Sequence, residues 1–482
     1  MSSMSNVEPQ NLHVIFFPMI GHGHMIPMLD IAKLFSSHQV KTTIVTTPRN
    51  APTFTKPLES YRNVGPKIDI EIIPFPSKET SLPEGVENFE YATSPQLVAK
   101  LWKATLLLQK PLKEVLEKYK PNCLIADKLF PFATEVAAEF NIPRLVFHGT
   151  GFFSLCALDA ITKFEPHKSI ISDEEEFVIP HLPHEIKLTR LKLPQHIREN
   201  NNNNNNNNEL VEFLKSAVES EAKSYGVIVN SFYELEQDYA DHYRKVMGRR
   251  AWHIGPVSLC NKENEAKFYR GKDSSIDEHD CLRWLDSKKE SSVMYVCFGT
   301  LSMFSTSQLR EIAMGLEASG QEFIWVVKGS KDNETEEWLP KKGLIIRGWA
   351  PQVLILDHKS IGGFVTHCGW NSILEAVSCG IPMVTWPIFS EQFYNEKLVT
   401  EILRIGVGVG AKEWKRTVDA NVKSEDIHEA IRRVMVGDEA LEMRSKAKKL
   451  KQKARLAIDV GGSSYSDLSS LIHQLRSYHL TQ

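Results

Sequence analysis

A short polar stretch between a predicted strand and a predicted helix has the composition of a phosphate-binding loop. Residues 366–372 read THCGWNS; the apolar run 363–365 precedes them, and Ile373, Leu374 and Val377 follow at helical spacing. The first N–H groups of a helix lack intrahelical partners, and the helix dipole favours negative charge at this end. The stretch therefore predicts an anion site, with a phosphate as the natural occupant.

A purely structural interpretation explains part of this pattern. Ser372 and Glu375 have the spacing of a capping box, and Gly380 is an ordinary helix terminator. No capping or packing rule asks for His367, Trp370 and Asn371 together in one short loop, and loops are where binding residues concentrate. These three residues favour a binding site.

A histidine and an aspartate in the first half form a second candidate pair. His24 follows the predicted strand 14–17, and Asp127 ends the predicted strand 124–127. The carboxyl ends of parallel strands meet at one edge of a sheet, so the carboxylate could hold one imidazole nitrogen while the other accepts a proton. A lone histidine at a helix start is more often a solvated cap. Asp127 is what favours a general base here.

The block from Trp349 to Gln392, which opens with WAPQ and contains HCGWNS, resembles the signature of plant secondary-product UDP-glycosyltransferases. The resemblance covers nearly the whole chain, including GHMIP at 23–27, the Asp127 segment and FGT at 298–300. It implies the GT-B fold, two doubly wound Rossmann-like α/β domains that face each other across a cleft. It also implies an inverting transfer of glucose from UDP-glucose, with His24 as base and Asp127 as its partner.

The resemblance assigns further residues to the donor. The residues implied for UDP are Thr300, Trp349, Ala350, Gln352, His367, Asn371, Ser372 and Glu375, with Trp349 under the uracil and Glu375 on the ribose hydroxyls. Those implied for the sugar are Trp370, Glu391 and Gln392. Gln at the last position accompanies glucose more often than galactose, for which His is more typical. His22 departs from related sequences and places a second histidine beside the expected base, although GHMIP matches at His24.

Composition narrows the functional class. Acidic residues number 60 against 57 basic ones, and the net charge of -3 gives no reason to expect nucleic acid or an anionic membrane as partner. Seven cysteines form no CxxC pair, which suits a reducing compartment. The first ten residues carry no Lys or Arg, so neither a signal peptide nor a membrane span is indicated. We expect a cytoplasmic monomer that uses UDP-glucose as co-substrate and needs no metal.

Alternating strand and helix patterns occur in both halves of the chain and predict parallel sheets with helices on both faces. We expect an acceptor-binding domain at 1–250, a linker and surface loop at 251–280, and a UDP-sugar-binding domain at 281–460. By resemblance, a final helix at 461–482 crosses back to the first domain. Nine consecutive asparagines at 200–208 predict a disordered surface loop.

Two apolar segments bear on the nature of the acceptor. The apolar segments 129–132 and 151–153 are expected either to line an acceptor pocket or to pack in the core. A lipophilic aglycone such as a flavonoid, phenylpropanoid or triterpenoid follows from the first interpretation and from the resemblance.

Two other classes of protein share parts of this layout. An NAD(P)-dependent oxidoreductase would need GxGxxG from Gly21, but the third glycine position is Ile26, and no acidic residue ends the second predicted strand. A non-catalytic nucleotide-sugar-binding protein would keep the 349–392 block without needing His24 and Asp127. A transferase using UDP-galactose or another UDP-sugar remains the nearest alternative.

Overall fold

A computed structural model of the chain describes residues 12–62, 65–198, 205–328, 339–340 and 342–478. For residues 205–210 it describes the backbone alone. The strands of the described residues are, in chain order, β1 His13–Phe17, β2 Lys41–Thr46, β3 Ile68–Ile72, β4 Cys123–Asp127, β5 Arg144–His148, β6 Glu176–Val178, β7 Lys187–Thr189, β8 Gly226–Val229, β9 Ala251–His253, β10 Val293–Cys297, β11 Met303–Phe304, β12 Glu322–Val327, β13 Leu344–Arg347, β14 Ile361–Thr366, β15 Met383–Thr385, β16 Gly406–Gly408 and β17 Thr417–Val418.

Helices connect most of these strands. In chain order they are α1 His22–Ser37, α2 Pro52–Tyr61, α3 Pro95–Leu106, α4 Gln109–Tyr119, α5 Phe132–Glu139, α6 Phe152–Phe164, α7 Gln195–Arg198, α8 Asn205–Ala222, α9 Gln237–Asp241, α10 Asn264–Phe268, α11 Glu278–Asp286, α12 Thr306–Ser319, α13 Gln352–Leu356, α14 Trp370–Cys379, α15 Gln392–Lys397, α16 Ser424–Met435, α17 Asp438–Ile458 and α18 Ser463–Ser477. Among the helices of the described ranges, none has the length and apolarity needed to cross a bilayer.

The first strand shows why these sequences form sheets covered on both faces. In β1, Val14 and Phe16 pack into one hydrophobic cluster, while Ile15 and Phe17 pack into another. Successive side chains of a strand point to opposite faces, so an unbroken apolar run is buried on both sides. Such a run is typical of parallel sheets between two layers of helices.

Two parallel sheets carry the fold. The first has the strand order β3-β2-β1-β4-β5-β8-β9 and the second has the order β13-β12-β10-β14-β15-β16. In each sheet the chain adds strands on one side and then on the other, and the change falls between β1 and β4 and between β10 and β14. Open α/β sheets bind ligands at the carboxyl ends of strands beside such a switch point. The prediction of two doubly wound α/β halves is confirmed.

The segment between the sheets differs from the expected linker and surface loop at 251–280. Strand β9 pairs with β8, so the first sheet extends to His253, three residues past the expected boundary at 250. The side chain of Arg270, in the middle of this segment, is only 8% exposed. The prediction of a surface loop is wrong for this residue, because buried carboxylates from both halves surround its charge.

The last helix packs against the first sheet. Leu468, Leu471, Ile472 and Leu475 of α18 belong to the same hydrophobic cluster as Val14 and Phe16 of β1. The carboxylate of Asp467 accepts hydrogen bonds from Arg244 Nη2 at 2.6 Å and from the His253 backbone N–H at 2.9 Å. Apolar packing and charged hydrogen bonds therefore fix α18 on the amino-terminal half.

The asparagine run gave a partly wrong prediction. Residues 200–204 lie outside the described residues, but Asn205 begins α8, so the last four asparagines are helical instead of disordered. Asparagine is a moderate helix former, and extending an existing helix is far easier than nucleating one. The amphipathic sequence that follows the run provides the helix that these asparagines extend.

Candidate active site

His24 and Asp127 meet at the switch point of the first sheet. His24 lies in the first turn of α1, and Asp127 is the last residue of β4, the strand beside β1. Nδ1 of His24 lies 2.7 Å from Oδ2 of Asp127, whose side chain is 1% exposed, while the histidine is 32% exposed. The Leu129 backbone N–H donates to Asp127 Oδ1 at 3.0 Å. The carboxylate is thus oriented from both sides, and Nε2 is the imidazole nitrogen left to exchange a proton.

Charges around His24 make it a stronger base. Burial lowers the pKa of His24, but the charge and hydrogen bond of Asp127, together with the charge of Glu391, raise it more. The net result is a pKa above the usual 6.5. Because Glu391 belongs to the second half of the chain, the field at this imidazole is set by both halves.

The neighbouring His22 faces a different environment. Its side chain is 5% exposed, and its Nδ1 lies 3.2 Å from Glu90 Oε2. Its ring lies 5.9 Å from that of Trp349. Asp127 therefore contacts His24, the histidine that the sequence favoured, and not His22.

Helix α14 starts earlier than the sequence pattern predicts. It begins at Trp370, and its N-cap Gly369 has no side chain that could cap the free N–H groups. Ser372 lies inside the first turn, so the predicted capping box with Glu375 does not form. The reason is that Gly369 has extended backbone dihedrals and takes the cap position itself, while other side chains bind Glu375. An uncapped helix start keeps its N–H groups available for an anion.

His367 stands beside this helix start as a neutral donor or acceptor. Burial and the nearby Lys328 lower the pKa of His367 to about 4. Its Nδ1 is buried and has no hydrogen-bond partner among the described residues. A Cβ on Gly299 or Gly369 would lie 2.7 Å or 2.4 Å from Nε2 of the ring. Only glycine at both positions leaves space for the imidazole.

Lys328 is a cation that sequence reasoning missed. It follows β12, and its Nζ donates to the Ser302 carbonyl at 2.8 Å and to the Thr300 carbonyl. Burial is the main cause that lowers the pKa of Lys328, to about 8. The only sequence signal was a lysine directly after the predicted strand 323–327, at the same sheet edge as Thr300 and His367.

The residues expected at the nucleoside lie together. Gln352 Nε2 donates to Glu375 Oε2 at 2.7 Å and to Ser372 Oγ at 3.1 Å. Ala350 is 7% exposed. Trp349 is half-buried, and its buried indole N–H has no hydrogen-bond partner within the part of the chain that the structure describes. Arg270, the other partner of Glu375, escaped sequence reasoning because it lies in a charged segment with no periodic pattern.

The three residues expected at the sugar have different surroundings. Gln392 accepts the Ile388 and Phe389 N–H groups on Oε1, at 2.9 Å and 3.0 Å, which leaves its NH₂ group to donate. Glu391 Oε2 accepts the Ser390 hydroxyl at 2.5 Å. Trp370 is 2% exposed, and its indole donates to the Asn230 carbonyl at 2.7 Å. The ring of Trp370 therefore joins the two halves and does not face open space. This differs from the expected position, in which Trp370 lines the sugar pocket.

The aromatic segments near the pair are core. Phe130, Phe152 and Phe153 are fully buried. Phe130 stacks on Phe17 with ring centroids 4.3 Å apart, and Phe153 packs edge-on against Tyr239. Of the two interpretations of 129–132 and 151–153, core packing is therefore correct for these three side chains.

Direct contacts bring the two halves together around the pair. Asn371 Nδ2 of α14 donates to the Gly23 carbonyl of α1 at 2.7 Å. The hydroxyl of Ser154 donates to Asn395 Oδ1 at 2.6 Å. The uncapped start of α14 is consequently held next to the turn that carries His24.

Comparisons with known proteins agree with this geometry. A family model described as UDP-glucoronosyl and UDP-glucosyl transferase matches residues 78–443. Scopoletin glucosyltransferase of Nicotiana tabacum is 54% identical over 478 residues, covering 98% of this chain and 99% of the relative. UDP-glucose flavonoid 3-O-glucosyltransferase 7 of Fragaria ananassa is 54% identical over 490 residues, covering 98% of each.

A solved structure is similar over nearly the full length. Glycyrrhiza uralensis UGT73P12, complexed with glycyrrhetinic acid 3-O-monoglucuronide, superposes with a TM-score of 0.90 at 41% identity, covering 98% of this chain and 96% of that chain. The two parallel sheets suit this assignment, with a histidine-aspartate pair at the carboxyl edge of the first and an uncapped helix start at the carboxyl edge of the second. The chain belongs to the UDP-glucoronosyl and UDP-glucosyl transferase family and is a UDP-glycosyltransferase.

Proposed function

We propose that this protein transfers glucose from UDP-glucose to a hydroxyl group of a lipophilic plant small molecule, with inversion, to give a β-O-glucoside. The observation that carries the proposal is the His24–Asp127 contact of 2.7 Å, held next to the uncapped start of α14 by the bond from Asn371 to Gly23. A base and an anion site at one cleft are the two elements that a direct displacement needs.

His24 activates the hydroxyl group of the acceptor. As the acceptor oxygen attacks the anomeric carbon, Nε2 takes the hydroxyl proton, and the bond from that carbon to the UDP oxygen breaks. Asp127, at Nδ1, stabilises the imidazolium that forms. Attack occurs from the face opposite to UDP, so an α-linked donor gives a β-linked product without a covalent sugar-enzyme intermediate.

The donor is held by the second half of the chain. The N–H groups of Asn371 and Ser372 stabilise the negative charge that develops on the leaving diphosphate. His367 and Thr300 also stabilise it, and Lys328 is a nearby cation. Trp349 stacks on the uracil, Ala350 and Gln352 contact the base or ribose, and Glu375 accepts the ribose hydroxyls. These groups supply the stabilisation that a metal ion would otherwise provide, and we propose a metal-independent transfer.

Glu391 and Gln392 bind hydroxyls of the sugar. The NH₂ group of Gln392 is oriented by the two backbone N–H groups on its carbonyl oxygen. Trp370 acts through its position at the junction of the two halves. Relatives named for scopoletin and for a flavonoid share 54% identity with this chain, which supports a phenolic acceptor. A structure that is 41% identical is complexed with glycyrrhetinic acid 3-O-monoglucuronide, which supports a triterpenoid alcohol.

We further propose that the first sheet and its helices bind the acceptor, that the second sheet and its helices bind the UDP-sugar, and that the enzyme is a cytoplasmic monomer. The seven cysteines are all unpaired, which supports a reducing compartment.

Incubation of the protein with UDP-glucose and an aglycone panel tests the proposal. The panel contains scopoletin, a flavonol and glycyrrhetinic acid, and mass spectrometry detects the added hexose while proton NMR reports the anomeric configuration. We expect a β-glucoside from at least one acceptor and a rate about 10²–10⁴-fold lower for His24→Ala. Hexose transfer that His24→Ala leaves at the wild-type rate would contradict the role of His24, and transfer from UDP-galactose but not from UDP-glucose would contradict the proposed sugar.

A further inference from the structure

Three charged side chains join the two halves of the molecule beside the candidate nucleotide site. Arg270, between the two sheets, donates from Nη1 to Glu375 Oε1 at 2.5 Å and from Nε to Asp30 Oδ2 at 2.7 Å. Asp30 lies on α1, and Glu375 lies on α14. The guanidinium therefore bridges one helix from each half.

Burial makes each of these charges depend on the others. The side chains of Arg270, Asp30 and Glu375 are 8%, 1% and 5% exposed. Burial lowers the pKa of Arg270, but the charges of Asp30 and Glu375 raise it more, and it ends above its usual range. A buried ion pair that loses one partner leaves an uncompensated charge. Arg270 consequently stays cationic and keeps both carboxylates at fixed positions.

Glu375 retains the capacity to bind a ligand. One oxygen accepts a hydrogen bond from Arg270, and the other accepts one from Gln352 Nε2 at 2.7 Å. An ionised carboxylate has about four lone-pair sites, so each oxygen can accept one further donor. The adjacent 2′ and 3′ hydroxyls of a ribose are two such donors. The two protein contacts therefore set the direction in which the free lone pairs point.

The residues next to Arg270 contact a second member of the nucleoside site. Gly271, at φ +116°, lies so close to the Trp349 ring that a Cβ would be 2.3 Å from Cζ2. The Ser275 hydroxyl accepts a hydrogen bond from the backbone N–H of Trp349 at 3.0 Å, and the backbone N–H of Ser275 donates to the Trp349 carbonyl at 2.8 Å. One segment between the sheets thus supports both Trp349 and Glu375.

We propose that Arg270 is a positioning residue of the donor site. It orients the Glu375 carboxylate toward the two ribose hydroxyls of the UDP-sugar, and through Asp30 it ties this carboxylate to α1, the helix that carries His24. This inference rests on the proposed function, because it takes a UDP-sugar as the donor.

The test compares UDP with its 2′-deoxy and 3′-deoxy analogues by calorimetry on wild type, Arg270→Met and Glu375→Gln. Because a hydrogen bond to a charged group contributes strongly to binding, the affinity of wild type for UDP should exceed its affinity for each deoxy analogue by about tenfold or more. For Arg270→Met we expect weaker UDP binding and a preference that falls to within about threefold, similar to Glu375→Gln. Arg270→Lys keeps the charge but reaches one carboxylate at a time. Its preference for UDP over the deoxy analogues should fall between that of wild type and that of Arg270→Met. If Arg270→Met does not fold, Arg270→Lys decides through the same ratio.

Each other outcome has a definite meaning. Tighter UDP binding by Arg270→Met would overturn the inference and indicate that Arg270 competes with the ribose for Glu375. An equal loss of affinity for UDP and the deoxy analogues, with an unchanged ratio, would overturn it in favour of a purely structural role. A wild type that does not bind UDP would overturn the proposed donor as well, whereas a wild type with the preference and a variant that keeps it would overturn only the role of Arg270.

Discussion

His24 and Asp127 determine how the proposed transfer responds to pH. The base must be neutral to accept a proton, and the surrounding carboxylates raise the pKa of His24 above 6.5. The value of kcat/KM should therefore fall as the pH decreases through this raised pKa. In Asp127→Asn the largest raising influence is lost, so the acidic limb of the pH profile should move to lower pH, while the plateau rate drops by about 10²–10⁴-fold. Initial rates with UDP-glucose from pH 5 to 9 measure both.

His22→Gln is the matched control for this prediction. His22 lies two residues from His24 but faces Glu90, so its loss should leave the acidic limb at the wild-type position. A limb that moves in His22→Gln and stays fixed in Asp127→Asn would reverse the assignment of the two histidines.

Single residues were predictable where a strand pattern gave their position. His24 and His367 follow predicted strands and Asp127 ends one, and parallel strands bring their carboxyl ends to one edge of each sheet. Arg270 and Lys328 were not predictable in this way. Arg270 contacts residues 240 positions before it and 105 positions after it. No local pattern encodes such partners, because only the folded chain brings them together.

At the level of elements, the start of α14 shows the limit of local rules. The spacing of Ser372 and Glu375 predicted a capping box, yet Gly369 is the N-cap and Glu375 binds Arg270 and Gln352. A charged tertiary partner, Arg270, and a neutral amide, Gln352, compete with a local cap for the same carboxylate. Gly380, in contrast, ends α14 as predicted, in the left-handed conformation that glycine adopts without strain.

Gly369→Ala tests whether this helix start binds the diphosphate. The new Cβ would lie 2.4 Å from His367 Nε2, so the imidazole must move, although φ at this position is −62° and the backbone is not strained. We expect UDP binding to weaken by about tenfold, the loss of one or two charge-assisted hydrogen bonds. Isothermal titration with UDP measures the effect.

Gly21→Ala is the control for Gly369→Ala. Gly21 is also the N-cap of a helix at the cleft, but a new Cβ there would lie 3.9 Å from His24 Cδ2. UDP affinity should stay within about twofold, since ordinary van der Waals contact displaces nothing. Equal weakening in both variants would mean that capping, and not the position of His367, controls the nucleotide.

Across the whole molecule, alternation of strands and helices predicted the class of fold, because two-sided burial in a parallel sheet imposes continuous apolar runs. The contacts between the halves were outside the reach of that pattern. Asn371 with Gly23 and Trp370 with Asn230 join residues that are 348 and 140 positions apart. The site is formed by these contacts, so the sequence could predict its residues more readily than their arrangement.

The last helix offers a test of how the chain closes on itself. Leu471 of α18 is fully buried in the core of the first sheet, whereas Leu456 of α17 is 65% exposed. Leu471→Ala should lower the free energy of unfolding by about 2–5 kcal/mol, because it removes buried methyl groups and leaves a cavity. Leu456→Ala, the same substitution on a neighbouring helix, should change it by less than about 0.5 kcal/mol. Urea unfolding followed by tryptophan fluorescence measures both. Equal values would show that α18 does not stabilise the amino-terminal half, and a lower UDP affinity in Leu471→Ala alone would show that the closure also supports the cleft.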